Sequence, residues 1–208
     1  MHFQSEPIRN LGVMYDKHLK MGAHISSVVK STTYHTRNIG RIRKYLTIDS
    51  TKKLVNSLVT SRIDYCNSQL AGIAGYQVKR LQKVQNYAAR VVLQLPKSIA
   101  PDLSELHWLP VKYRIDFKIA VLTFKSIHGL APVYLQELLK PFVSSSSKLD
   151  CNLLTVPRSH HGSGDRSSQV YGPIVWNGLP ADVRACRELY PFKKLLKTAF
   201  YRRAFNCN

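Results

Sequence analysis

Transfer of a nucleotidyl or phosphoryl group requires carboxylates that converge on two metal ions, which stabilise the attacking and leaving oxygens. The aspartates of this 208-residue chain, Asp16, Asp49, Asp64, Asp102, Asp116, Asp150, Asp165 and Asp182, stand singly, with no Asp-Asp or Asp-x-Asp pair among them. An isolated Asp in a basic chain serves as a helix cap or an ion-pair partner. Hydrolytic signatures are missing as well: there is no Gly-x-Ser-x-Gly elbow, no His-Glu-x-x-His and no glycine-rich phosphate loop ending in Gly-Lys-Ser or Gly-Lys-Thr. The expectation is a protein that catalyses nothing and holds neither metal, cofactor nor small-molecule substrate.

Cys66, Cys151, Cys186 and Cys207 lie far apart and without histidine at zinc-finger spacing, so they read as reduced thiols of an intracellular protein. His160-His161 falls in a Ser- and Gly-containing stretch, and His107 beside Trp108 is expected to pack rather than react. No apolar run approaches the roughly 20 residues that span a bilayer, and Met-His-Phe-Gln-Ser-Glu at the start lacks a signal pattern. Neither membrane insertion nor export is expected.

Charge points to a partner. Lys and Arg number 31 against 12 Asp and Glu, a net charge of +19. The excess is spread along the chain: +5 in residues 1–50, +5 in 51–110, +3 in 111–150 and +6 in 151–208. Such a field attracts polyanions, most commonly phosphate backbones, through counterion release.

Hydropathy supplies the elements that would carry these cations. Residues 22–46 read as a helix, or as a helix broken at Gly40, with a basic side that includes Lys30, Arg37, Arg41, Arg43 and Lys44. A second helix opens near Thr47, capped by Asp49 or Ser50, with Leu54, Val55, Leu58, Val59, Cys66 and Leu70 as its buried arc. Residues 76–95 give the clearest amphipathic signal. Leu81, Val84, Ala88, Val91, Val92 and Leu95 fall on one side, with Lys79, Lys83, Asn86 and Arg90 opposite.

Val111 to His128, apolar on several sides, is expected as a central helix, and a short helix follows within 132–139. Residues 144–168 read as a linker with an extended piece at 153–156, and 170–180 as a buried, turn-rich element. Two closing helices are expected within 182–189 and 191–205. In the last, Phe192, Leu195, Leu196 and Ala199 should share the buried face, with Lys193, Lys194 and Lys197 turned away.

Four phrases stand in a fixed order: Arg80-Leu-Gln-Lys-Val-Gln-Asn-Tyr-Ala-Ala-Arg90, Leu106-His-Trp-Leu-Pro110, Arg114-Ile-Asp-Phe-Lys118 and Val175-Trp-Asn-Gly-Leu-Pro180. Together with Leu11-Gly-Val-Met-Tyr-Asp16 they resemble the region after the palm in reverse transcriptases of jockey-like non-LTR (LINE-type) retrotransposons. That family also carries an endonuclease and a palm with Tyr-x-Asp-Asp, elements not found in this sequence. The resemblance implies a mainly α fold with minor β: residues 1–21 as remnant of a palm-closing strand, 22–143 as a helical thumb-like domain, 144–168 as linker and 169–208 as a helical C-terminal element.

The implied role is noncatalytic binding of RNA or an RNA/DNA duplex. The residues expected to contact phosphates are Lys79, Lys83, Asn86, Arg90, Arg41, Arg43, Lys44, Lys193, Lys194 and Lys197. Tyr34, Tyr45, Tyr87 and Tyr113 could stack on unpaired bases. The alternatives are a nonfunctional, partly folded relic of a truncated element, or an accessory part completed by a palm supplied in trans.

Overall fold

Two residues at positive φ, Leu11 at 46° and Gly12 at 83°, make the first turn of the chain in the computed structural model, which describes residues 7–142, 152–158 and 164–205. They form a two-residue hairpin loop of the sign that matches strand twist, pairing β1 (Ile8–Asn10) antiparallel with β2 (Val13–Tyr15) in the register Asn10 to Val13. The Tyr65 hydroxyl donates to the Leu11 carbonyl at 2.7 Å, pinning the loop to a later segment. The expected single strand is therefore a hairpin, the only named sheet among the described residues of a mainly α protein.

The chain divides into two units, Met1–Lys112 and Tyr113–Asn208. The division falls at the start of a helix, whereas the sequence placed it in the 144–168 stretch. A serine-rich segment marks low hydrophobicity, which need not coincide with where contacts thin out.

In the first unit, α1 (Gly22–Ile42) runs uninterrupted through Gly40 and tightens into a 3-10 turn at Arg43–Tyr45. It packs against α4 (Gly75–Leu93). The two helices are parallel: Arg80 Nη2 donates to Ser26 Oγ at 3.0 Å near their N-terminal ends, and Arg43 donates to Val91 and Val92 carbonyls at their C-terminal ends. Thr32 and Thr36 are wholly buried on α1, and their hydroxyls bond back to the carbonyls of Val28 and Thr32 at 2.6 and 2.8 Å. Small side chains that satisfy themselves in this way suit the packing of α1 on α4, where Leu81, Val84, Ala88 and Val92 are buried as the sequence pattern required and Val91 and Leu95 are only half-buried.

Parallel neighbours need a long crossover. It consists of α2 (Ile48–Val55), a π-turn at Asn56–Thr60, α3 (Ser61–Asp64) and a 3-10 turn at Asn67–Leu70, with the middle packed on both α1 and α4. The N-cap of α2 is Thr47, whose hydroxyl accepts from the Ser50 amide, rather than Asp49 or Ser50. Val55, Val59, Ile63 and Leu70 form the buried line, and Leu54, Leu58 and Cys66 are only half-buried. The extra residue of a π-turn rotates the face that follows it, so a pattern drawn at a strict 3.6 period drifts off target.

In the second unit, α5 (Val111–Ile127) leads to the short α6 (Val133–Gln136), then α7 (Ser168–Asn177), α8 (Ala181–Arg184) and α9 (Leu189–Phe205). Phe192 of α9 is fully buried, stacked on Phe124 of α5 at 4.3 Å and 5.8 Å from Trp176 of α7. Residues 168–177 form a helix despite Pro173, where turns were expected. Gly172 lies so close to Thr123 that a Cβ there would meet its hydroxyl at 3.1 Å. On α9 the buried set is Phe192, Leu196 and Phe200. Leu195 is 39% exposed, so the core face runs at i, i+4, i+8 rather than through Leu195. Of the expected linker, Leu154 forms a β-bridge with Pro141, which precedes it. Ser144 to Ser147, His160-His161, Asp150, Cys151 and Cys207 lie outside the described residues.

Two stability measurements follow. Phe192→Ala should cost about 3–5 kcal/mol in denaturant unfolding, and Leu195→Ala less than about 1 kcal/mol. His24, buried in the first turn of α1, has its pKa pushed down by desolvation. The unfolded chain then binds the proton that the folded chain refuses, so stability is full above about pH 6.5 and falls as pH drops through that value. A His24→Gln variant should show a flatter Tm between pH 7 and pH 5 than the parent.

Candidate nucleic-acid interface

Neither α1, α4 nor α9 contains a single Asp or Glu. On α1, Lys30, Tyr34, Arg37 and Arg41 are exposed and recur at i, i+4, i+7 and i+11. Lys44 and Tyr45 continue the line in the 3-10 turn. This face lies opposite the one formed by Ile25, Thr32, Thr36 and Ile39, so burying the apolar side against α4 turns the cations outward. Helix α4 repeats the arrangement: Tyr76, Lys79 and Lys83 are exposed, opposite Leu81, Ala88 and Val92. In the second unit α9 exposes Tyr190, Lys193, Lys194 and Lys197.

The expected contact residues separate into two groups. Lys79, Lys83, Arg41, Lys44, Lys193, Lys194 and Lys197 are exposed and available to a phosphate. Arg43 is not: it is 8% exposed, its Nε and Nη2 donate to Val91 and Val92 carbonyls at 3.0 and 2.9 Å, and its Nη1 donates to the Leu46 carbonyl at 2.7 Å. Its guanidinium caps the C-terminal end of α4, where free carbonyls and the negative end of the helix dipole favour a cation. Asn86 is half-buried and accepts from Gln82 Nε2 at 2.8 Å. Arg90 is half-buried too, with its Nε sequestered from solvent and without a hydrogen-bond partner. The Arg43 donors are thus committed to backbone carbonyls at a helix end, whereas Asn86 accepts one bond from a neighbouring side chain and stays half-buried.

The amides of the Arg80-to-Arg90 phrase have a local role. Gln82 accepts from the Val111 amide at 2.9 Å and donates to Gln85 Oε1, while buried Gln85 donates to the Leu109 carbonyl at 2.9 Å. The Leu106-to-Pro110 phrase is in this way fastened to α4, with Trp108 buried and His107 exposed at φ 55°. In Val175-to-Pro180, Trp176 is buried and donates to the Asn152 carbonyl at 2.7 Å. Asn177 brackets Leu154 through both its amide and its carbonyl.

Lys30, Arg37 and the exposed Tyr76 and Tyr190 were not among the expected contact residues, although the helical spacing of Lys30 and Arg37 with Arg41 was the signal for the first two. Among the described residues, no group of three or more His, Cys, Asp or Glu could hold a metal ion, and no helix is long and apolar enough to cross a membrane. Comparison of the chain with protein-family models, curated proteins and solved structures finds no match.

Arg43→Ala should lower unfolding stability by about 1.5–3 kcal/mol, the scale of hydrogen bonds to a charged group. Arg43→Lys should fail to restore it, because an ammonium cannot reproduce the planar fork. Lys83→Ala should change stability by less than about 0.5 kcal/mol in the same assay.

Proposed function

We propose that this protein binds RNA or an RNA/DNA duplex through the phosphate backbone, as a noncatalytic part of a reverse transcriptase of the non-LTR retrotransposon type. The observation that carries the binding is the carboxylate-free, outward cationic faces of α1 and α4 in one unit and of α9 in the other. A surface serving only solubility intersperses both signs, which avoids self-repulsion. Keeping carboxylates off whole helices tolerates repulsion that a polyanion would relieve. The retrotransposon assignment rests on the four ordered phrases, and the isolated aspartates support the noncatalytic reading.

A second reading has its own observation. Leu130, Val133, Tyr134 and Phe142 of the second unit, and Ile8 and Leu11 of the hairpin, expose more than half of their surface. Apolar groups left in water on this scale fit a chain whose surfaces are covered by a palm supplied separately, or a partly folded relic. Cooperative melting as a soluble monomer would argue against the relic. Primer extension that requires both this chain and an added palm would favour completion in trans.

The primary test is binding of labelled RNA and RNA/DNA duplex by fluorescence anisotropy across a salt series. Affinity should fall linearly on a log–log plot and vary little with sequence. Lys79→Ala and Lys83→Ala should each reduce the slope by about one. No measurable affinity at low ionic strength would overturn the proposal.

A further inference from the structure

Of the four tyrosines singled out by their basic neighbours, Tyr113 is spent on packing, 5.8 Å from Phe200 and donating to the Arg203 carbonyl, and Tyr87 is half-buried. Tyr34 and Tyr45 remain in water, 62% and 77% exposed, on the cationic line of α1. His35 meets Tyr34 at 75° with centroids 5.4 Å apart, a T-shaped contact. Lys44 Nζ stands 4.8 Å from the Tyr45 ring centroid, placing a cation over one face of that ring.

The geometry points to the α1 line of Lys30, Tyr34, Arg37, Arg41, Lys44 and Tyr45 as a platform for a strand with unpaired bases, its phosphates on the cations and its bases on Tyr34 and Tyr45. This rests on the nucleic-acid reading above and narrows it to one substrate class. In a duplex the base faces are stacked on one another and hidden, so a ring projecting from a helix gains little. In an unpaired strand those faces are available, and every base has one. Tyr34 and Tyr45 lie about 18 Å apart along the axis, eight residues at the α-helical rise and three at the steeper 3-10 rise, with Arg37, Arg41 and Lys44 between them. That separation suits a short run of nucleotides whose backbone follows the helix. The absence of any carboxylate on α1 leaves nothing on the line to repel the phosphates.

The test uses the full chain and its double variants Tyr34→Leu/Tyr45→Leu and Tyr34→Phe/Tyr45→Phe. Each is titrated at one fixed salt concentration against an unstructured oligouridine and an RNA duplex of equal length. The Leu variant should lose affinity for oligouridine on the order of tenfold, with duplex affinity and melting temperature unchanged. The Phe variant, which keeps the rings, should bind both as the parent does. Equal losses on both ligands, or no loss on oligouridine, would overturn the platform while parental duplex binding leaves the broader proposal standing. A parent that binds neither ligand overturns both.

Discussion

A buried guanidinium closes the C-terminal end of the α1/α4 pair, and the first unit is built around that closure. Two parallel helices bring their C-terminal ends together, which concentrates unpaired carbonyls and the negative ends of two dipoles in one place. Arg43 answers this with bonds to Val91, Val92 and Leu46. A charge held out of water is tolerated only when it is hydrogen-bonded, so its partners must be fixed as firmly as the charge itself. The parallel arrangement also dictates the crossover, since α2, the π-turn and α3 must carry the chain back to the end from which α4 starts.

With α1 and α4 locked, the polar side chains between them and the next segment become fasteners. Gln82 and Gln85 bind the backbone on either side of Pro110 and thereby set where α5 begins. In the second unit Trp176 and Asn177 hold residues 152–154, and Arg203 donates to the Gly178 carbonyl at 2.8 Å. Gln82, Gln85, Trp176 and Asn177 are consequently positions where side chains replace secondary structure as partners for backbone. Such backbone cannot be left unsatisfied once buried.

Function, on the reading proposed here, occupies what the packing leaves over. Each amphipathic helix commits one face to the core and presents the other, and on α1, α4 and α9 the presented face is cationic without compensation. Tyrosines on these faces have no packing role where they remain in water, whereas Tyr113, at equally basic surroundings in sequence, is drawn into contact with Phe200. Two similar sequence neighbourhoods thus end in different environments.

Periodicity alone determined the helices read at 22–46, 76–95 and 111–128, most of the buried side of α4 and the outward position of Lys79, Lys83, Lys193, Lys194 and Lys197. These are local properties, because the turn of a helix places residues on a face whatever the helix later meets. Tertiary structure decided that Arg43 is a cap, that 168–177 is helical and that Phe200 rather than Leu195 faces inward. It also set the division at Lys112–Tyr113. Each of those outcomes depends on a partner distant in sequence: a helix end nearly fifty residues away, or an aromatic cluster drawn from three helices. A single chain read from one end to the other gives no measure of which distant groups will compete for the same donor or the same space.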